Sequence, residues 1–125
     1  KGILDGNSRA VFGGEVLVRK DSQKTNATQS DKNLILSDGA EVDSKPSLMI
    51  YADDVQCGHG ATAGSINDET VFYMRSRGLD ERMASKFLIQ AFAREIIDQL
   101  DDPGFMEYID NAYESSIPNA ILNLG

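Results

Sequence analysis

Asp53-Asp54-Val55-Gln56-Cys57-Gly58-His59-Gly60-Ala61-Thr62 is the stretch on which the reading of this chain turns. Before it, short apolar runs alternate with Gly, Asp, Asn and Ser, the pattern of strands and turns. After it, apolar residues recur at three-four spacing, the mark of helices. The stretch also holds the only cysteine and the only histidine of the 125 residues, two positions apart and set among glycines. Thiolate and imidazole are ligands for zinc, iron and iron–sulfur clusters. Two of them on one strand make half a site, and the missing ligands would come from a partner. The competing reading is a small buried thiol and a hydrogen-bonded imidazole beside a turn, the commoner fate of an isolated Cys-x-His. A Cys–His nucleophilic pair is a third reading, without an evident oxyanion donor or orienting group.

Working back from this stretch, three apolar runs stand out: Val16-Leu17-Val18, Leu34-Ile35-Leu36 and Leu48-Met49-Ile50. Each is followed by an aspartate, Asp21, Asp38 and Asp54, 17 and 16 residues apart. A unit so short cannot bury its own apolar face, so copies must stack and bury one another's. Residues 1–66 are therefore expected to form the C-terminal rungs of a parallel β-helix, with like strands about 4.8 Å apart. An antiparallel sandwich with turns at Asp5-Gly6 and Asp38-Gly39 is the alternative. Laying the segments over one another aligns Asn26, Asp43 and His59 in one surface column. In that register Val42 points inward, and Cys57 and His59 share one outward face. A slip of one residue would reverse this. Asp53 and Asp54 are adjacent, so a strand would turn them to opposite faces. A turn suits them better than a paired-carboxylate site.

Working forward, Asn67 is a good N-cap, with Asp68 and Glu69 in the first turn and Gly78 as a stop. Val71, Phe72 and Met74 supply the apolar side of this helix. Asp80 caps a second helix, to about Leu100, whose stripe runs through Met83, Ala84, Phe87, Leu88, Ala91, Phe92, Ile96 and Leu100. Asp102-Pro103 starts a third, with Pro103 at its first position. Pro118 is expected to end it, leaving a hydrophobic tail of Ile121, Leu122 and Leu124. Residues 67–125 thus read as a C-terminal helical domain. Arg75, Arg77, Arg82 and Arg94 lie among acidic residues and read first as solvated ion-pair partners.

A net charge of −8 argues against nucleic acid as a partner, because phosphate binding needs a Lys/Arg surplus. No apolar run spans a bilayer, so no membrane partner is expected. One cysteine excludes an internal disulfide and fits a reducing, cytoplasmic setting. The chain begins at Lys1 rather than Met, with residues that read as mid-domain structure. It is read as part of a longer protein.

The motifs then match a known family. Lys24-Thr25-Asn26-Ala27-Thr28-Gln29-Ser30, Asn33-Leu34-Ile35-Leu36-Ser37-Asp38 and Asp43-Ser44-Lys45-Pro46 resemble the C-terminal part of the SufB/SufD family. So do Ile50-Tyr51-Ala52, continuing through the opening stretch, and Phe72-Tyr73-Met74-Arg75-Ser76-Arg77-Gly78. These proteins are scaffolds of the Suf iron–sulfur cluster assembly system. The run from Tyr51 to Gly60 resembles the SufD branch. The resemblance implies a right-handed parallel β-helix followed by helices, and a non-enzymatic subunit. It implies pairing with a SufB-like subunit through the β-helices, and binding of a SufC-like ATPase through the helices between about Asn67 and Tyr113. Phe72, Tyr73, Arg75, Arg77 and Phe87 are the candidate residues there. It also implies that His59 is a ligand of a transient Fe–S cluster at the subunit interface, with Cys57 as a nearby thiol.

No tightly bound metal is expected on this chain alone, and it is expected to self-associate at its open β-helix end or through its apolar helical surface. The alternatives are a carbohydrate-active hydrolase or lyase on a β-helix, using Asp53, Asp54 or Cys57–His59, and a stand-alone metal-binding module.

Overall fold

A computed structural model describes residues 1–121, with side chains through residue 116. Five strands come first: β1 (Gly2–Leu4), β2 (Arg9–Val18), β3 (Asn26–Ile35), β4 (Glu41–Ile50) and β5 (Gln56–Gly64). Three helices follow: α1 (Asp68–Ser76), α2 (Glu81–Ile97) and α3 (Pro103–Ile121). The strands deal themselves alternately into two parallel sheets, β1-β3-β5 and β2-β4.

The pairing register corrects the expected repeat. Gly2 lies opposite Asn33, Arg9 opposite Glu41 and Asn26 opposite Gln56. The spacings are 31, 32 and 30 residues, about twice the interval read from the aspartates. That shorter interval links strands in different sheets, which look alike in composition but are not hydrogen-bonded neighbours. Val16-Leu17-Val18 does stack on Leu48-Met49-Ile50, while Leu34-Ile35 pairs with Ile3-Leu4. Asn26, Asp43 and His59 therefore form no column: Asp43 pairs with Val11, and His59 pairs with Gln29.

A polar cluster joins the inner faces of the two sheets. Ser44 Oγ on β4 donates to Asp31 Oδ2 on β3 at 2.6 Å. Asn33 Nδ2 donates to the same oxygen at 2.9 Å, and both Asp31 and Asn33 are buried. Alternation then places Ala27, Gln29, Asp31 and Asn33 of β3 on the inner face. Val42, Ser44, Pro46 and Leu48 are on the inner face of β4, so the inward reading of Val42 holds. The outer face of β3 carries Lys32 and Leu34, and α2 lies on it. Leu34, Leu36 and Ile89 form the buried cluster, with Ile3, Ile66, Phe92 and Tyr113 packed around it. Burial pushes the Tyr113 hydroxyl up to about 12; an Arg94 charge acts weakly the other way.

Lys1 and Lys32 both ion-pair with Glu95, fastening α2 to β1 and β3. Hydrogen bonds from Lys1 and then Lys32, reinforced by their charge, hold the Glu95 carboxyl down at about 2. The Lys1 ammonium also sits 4.2 Å from the centre of the Phe92 ring.

The helix starts follow local chemistry. Asn67 Oδ1 accepts from the Thr70 amide, Asp80 Oδ1 from the Met83 amide and Asp102 Oδ1 from the Phe105 amide, each at 2.8 Å. Gly78, at φ 99°, closes α1: its N–H reaches Arg75 O and that of Leu79 reaches Met74 O. Three details differ from expectation. Helix α2 stops at Ile97, and its buried stripe is Ala84, Ser85, Ile89 and Ile97, about one position round from the one expected. No residue of α1 is buried, and Phe72 stands in solvent. Helix α3 continues past Pro118 to Ile121. A proline there removes one bond, to the Glu114 carbonyl, while later residues still find acceptors. Of the expected tail, Leu122 and Leu124 lie outside the described residues.

Candidate functional site

β5 is made almost wholly of small residues, Gln56-Cys57-Gly58-His59-Gly60-Ala61-Thr62-Ala63-Gly64. Cys57 and His59 do share one face. That face is the inner one, because their ladder partners Ala27 and Gln29 point inward and paired residues in a parallel ladder point alike. The outward reading is thus corrected. It failed because it was borrowed from Asp43, which belongs to the other sheet. His59 is nonetheless exposed. Among the described residues the second sheet has no strand beyond β4, so β4 alone faces the inner side of β5. Cys57 is half-buried near the turn, with Sγ 4.0 Å from the Thr25 carbonyl oxygen.

The edge of β5 is open. The Gln56 N–H donates to Thr25 O, so even-numbered residues of this strand bond β3. The backbone N–H and C=O groups of Cys57, His59, Ala61 and Ala63 then face the free edge. β4 is different. The N–H groups of Glu41 and Tyr51 donate to Ser8 and Val18, so odd-numbered residues face β2. Pro46, even-numbered, leaves a gap in the donors on the outer edge of β4. Two free edges thus lie at one end of the molecule, one continuous and one interrupted.

The remaining candidates divide. Asp54 ion-pairs with Lys24, its N–H bonds the Gln23 side chain at 2.9 Å, and its carbonyl accepts from Lys24 N at 2.7 Å. It is a turn residue, as its neighbourhood with Asp53 suggested. Among the described residues no three His, Cys, Asp or Glu side chains gather as a metal site. Phe72 and Tyr73 are 73% and 60% exposed, and Phe87 45%. The Arg77 guanidinium lies over the Tyr73 ring at 5.8 Å, and Arg75 pairs with Glu81 at 3.1 Å. The solvated-pair reading of Arg75 is thereby met, and α1 presents two uncovered aromatic rings. Arg94 pairs with Asp110 at 2.9 Å and Asp98 at 3.4 Å, and the Asp110 charge raises its pKa further. Sequence reasoning did not single out Gln29 or Pro46. Only the pairing register shows that they adjoin His59 and a free edge.

Residues 1–92 match the family described as SUF system FeS cluster assembly, SufBD core domain. The chain belongs to the SufBD family. It is 45% identical over 109 residues to the iron-sulfur cluster assembly protein SufD of Escherichia coli, covering 87% of this chain and 26% of that protein. It is 50% identical over 100 residues to an iron-sulfur cluster assembly SufBD family protein of Synechocystis sp., covering 80% of this chain and 22% of that protein. It is 28% identical over 116 residues to SufD of Bacillus subtilis, covering 93% of this chain and 26% of that protein. The chain thus spans about a quarter of the length of these relatives, and within the family it is SufD-like. No helix among the described residues is long and apolar enough to cross a membrane.

Proposed function

We propose that this chain is the C-terminal part of a non-catalytic scaffold subunit of a Suf iron–sulfur assembly complex. In this reading the two sheets are the last rungs of a right-handed parallel β-helix, and residues 67–125 form the C-terminal helical domain packed against it. The open edge of β5 receives a strand from a SufB-like subunit in the cytoplasm. His59, with Cys57 nearby, contributes to a transient cluster completed by a partner thiolate. The cluster is cargo, held and passed on.

The observation that carries this reading is the state of His59. It is exposed on a strand whose edge groups are unsatisfied and whose flanking residues are glycines, which let another backbone approach closely. One imidazole and one thiol are too few for a closed metal site, so a shared site suits them. The exposed rings of Phe72 and Tyr73 support a docking role for α1 toward a SufC-like ATPase, since exposed aromatics beside arginine are common anchors of a protein interface. ATP-driven pairing of two such ATPases would move the helices and reshape the site. The hydrolase alternative loses one of its candidates, because Asp54 is committed to its turn.

In the full-length protein, His59→Ala should abolish cluster formation while leaving the complex assembled. Iron and sulfide content of the purified complex reads the first, and size-exclusion chromatography the second. Normal cluster content in the variant would sink the proposal.

A further inference from the structure

The inner face of β3 runs Gln29, Asp31, Asn33, and its polar groups are nearly all paired. Asp31 Oδ2 takes hydrogen bonds from Asn33 and Ser44. Gln29 Oε1 is the exception: it is buried and has no hydrogen-bond partner. The amide is held in place from below. Its nitrogen lies over Gly14 of β2, where a Cβ would collide with it and crowd the Phe12 ring. Gly14 thus provides the room in which the Gln29 side chain lies.

Gln29 is also the ladder partner of His59. Paired residues on neighbouring parallel strands point to the same side about 4.8 Å apart, within reach of one another's side chains. His59 is exposed, and its ring has no side-chain hydrogen bond among the described residues. A buried acceptor without a donor therefore lies on the residue that pairs in register with His59. Buried acceptors without a donor are few in folded proteins, and each calls for a functional or solvent partner.

We infer that Gln29 is a positioning residue for His59, its side-chain oxygen accepting the proton on one ring nitrogen and so leaving the other nitrogen's lone pair free for a ligand-seeking ion. Histidines that bind metals are commonly oriented this way, and loss of the orienting group weakens binding about 10–100-fold. The inference rests on the reading of His59 as a cluster ligand, but its structural half stands apart from that reading.

The test is made in the full-length protein with isotope-labelled histidine ring nitrogens, at a pH where the ring is neutral. The His59 signals are identified by their loss in His59→Ala. Nitrogen chemical shifts report which nitrogen carries the proton. The wild-type ring should favour one tautomer beyond the preference of free imidazole. Gln29→Met, of similar size, should return it to the free-imidazole ratio. Gln29→Glu, which keeps the acceptor, should retain the wild-type bias. A wild-type ratio equal to that of free imidazole, or a bias that survives in Gln29→Met, overturns the inference. The wild-type spectrum alone can refute it should the methionine variant fail to fold. In the assembled complex, Gln29→Met should retain about one-tenth of the iron affinity. A wild-type bias that is lost in Gln29→Met, together with normal cluster content in His59→Ala, would uphold the hydrogen bond and refute the ligand reading instead.

Discussion

Ile89→Ala is the sharpest probe of how the helices are joined to the strands. Ile89 is fully buried on α2, against Leu34 and Leu36 from β3 and the segment after it. The substitution removes three carbons. At about 0.8 kcal/mol per buried methylene the transfer loss is about 2.5 kcal/mol. A cavity loss is added, because Leu34 sits on a strand pinned by ladder bonds to Ile3 and Gly64 and cannot close the gap fully. The total is about 3–4 kcal/mol, a large part of the roughly 5–15 kcal/mol that holds an ordinary domain together. With a urea m-value near 2 kcal/mol/M, the unfolding midpoint should fall by about 1.5–2 M. Phe87→Ala, on the same helix but 45% exposed, is the control and should shift the midpoint by less than about 0.5 M. Circular dichroism in a urea series measures both. Equal shifts for the two variants would refute the packing of α2 on β3 as the source of stability.

Two further outcomes follow from surface contacts. The Glu95 carboxyl is held at about 2 against an ordinary 4.5 by Lys1 and Lys32, so its contribution is complete above 4.5 and disappears as pH falls toward 2. Glu95→Gln should therefore lower the melting temperature at neutral pH, and the difference from wild type should vanish across that acid window in a thermal melt series. A difference constant from pH 7 to pH 2 would count against the Lys–Glu clasp. Replacing both Phe72 and Tyr73 with serine should weaken binding of the proposed ATPase partner about 30-fold or more by calorimetry, at about 2 kcal/mol for a hot spot. Unchanged affinity would move the docking site elsewhere.

The local chemistry of this chain was readable and its long-range pairing was not. Asn67, Asp80, Asp102 and Gly78 act on amides within a few residues of themselves, so sequence alone locates them. The stripe of α2 was read about one position off because Met83, Phe87 and Ile96 are as apolar as Ile89 and Ile97, and only the position of β3 decides which side is covered. The orientation of Cys57 and His59 depended on which strand was their neighbour. Alternation correctly gave them a common face, but the aspartate spacing pointed to the wrong sheet. Gln29 passed unnoticed because a lone glutamine in a polar strand carries no signal until its ladder partner is known.

The smallness of β5 has a further meaning. Gly58, Gly60, Ala61, Ala63 and Gly64 bring almost no side-chain surface to bury, so this strand is attached to β3 chiefly by its backbone ladder. Elements held that way open at lower free energy than those anchored by packed side chains. The strand that bears His59 is thus anchored by its ladder more than by its side chains. Any local opening of such a strand would set how long the imidazole stays in one place. A second ladder on its free side would lengthen that time, so occupancy of the edge and steadiness of the histidine become a single coupled quantity.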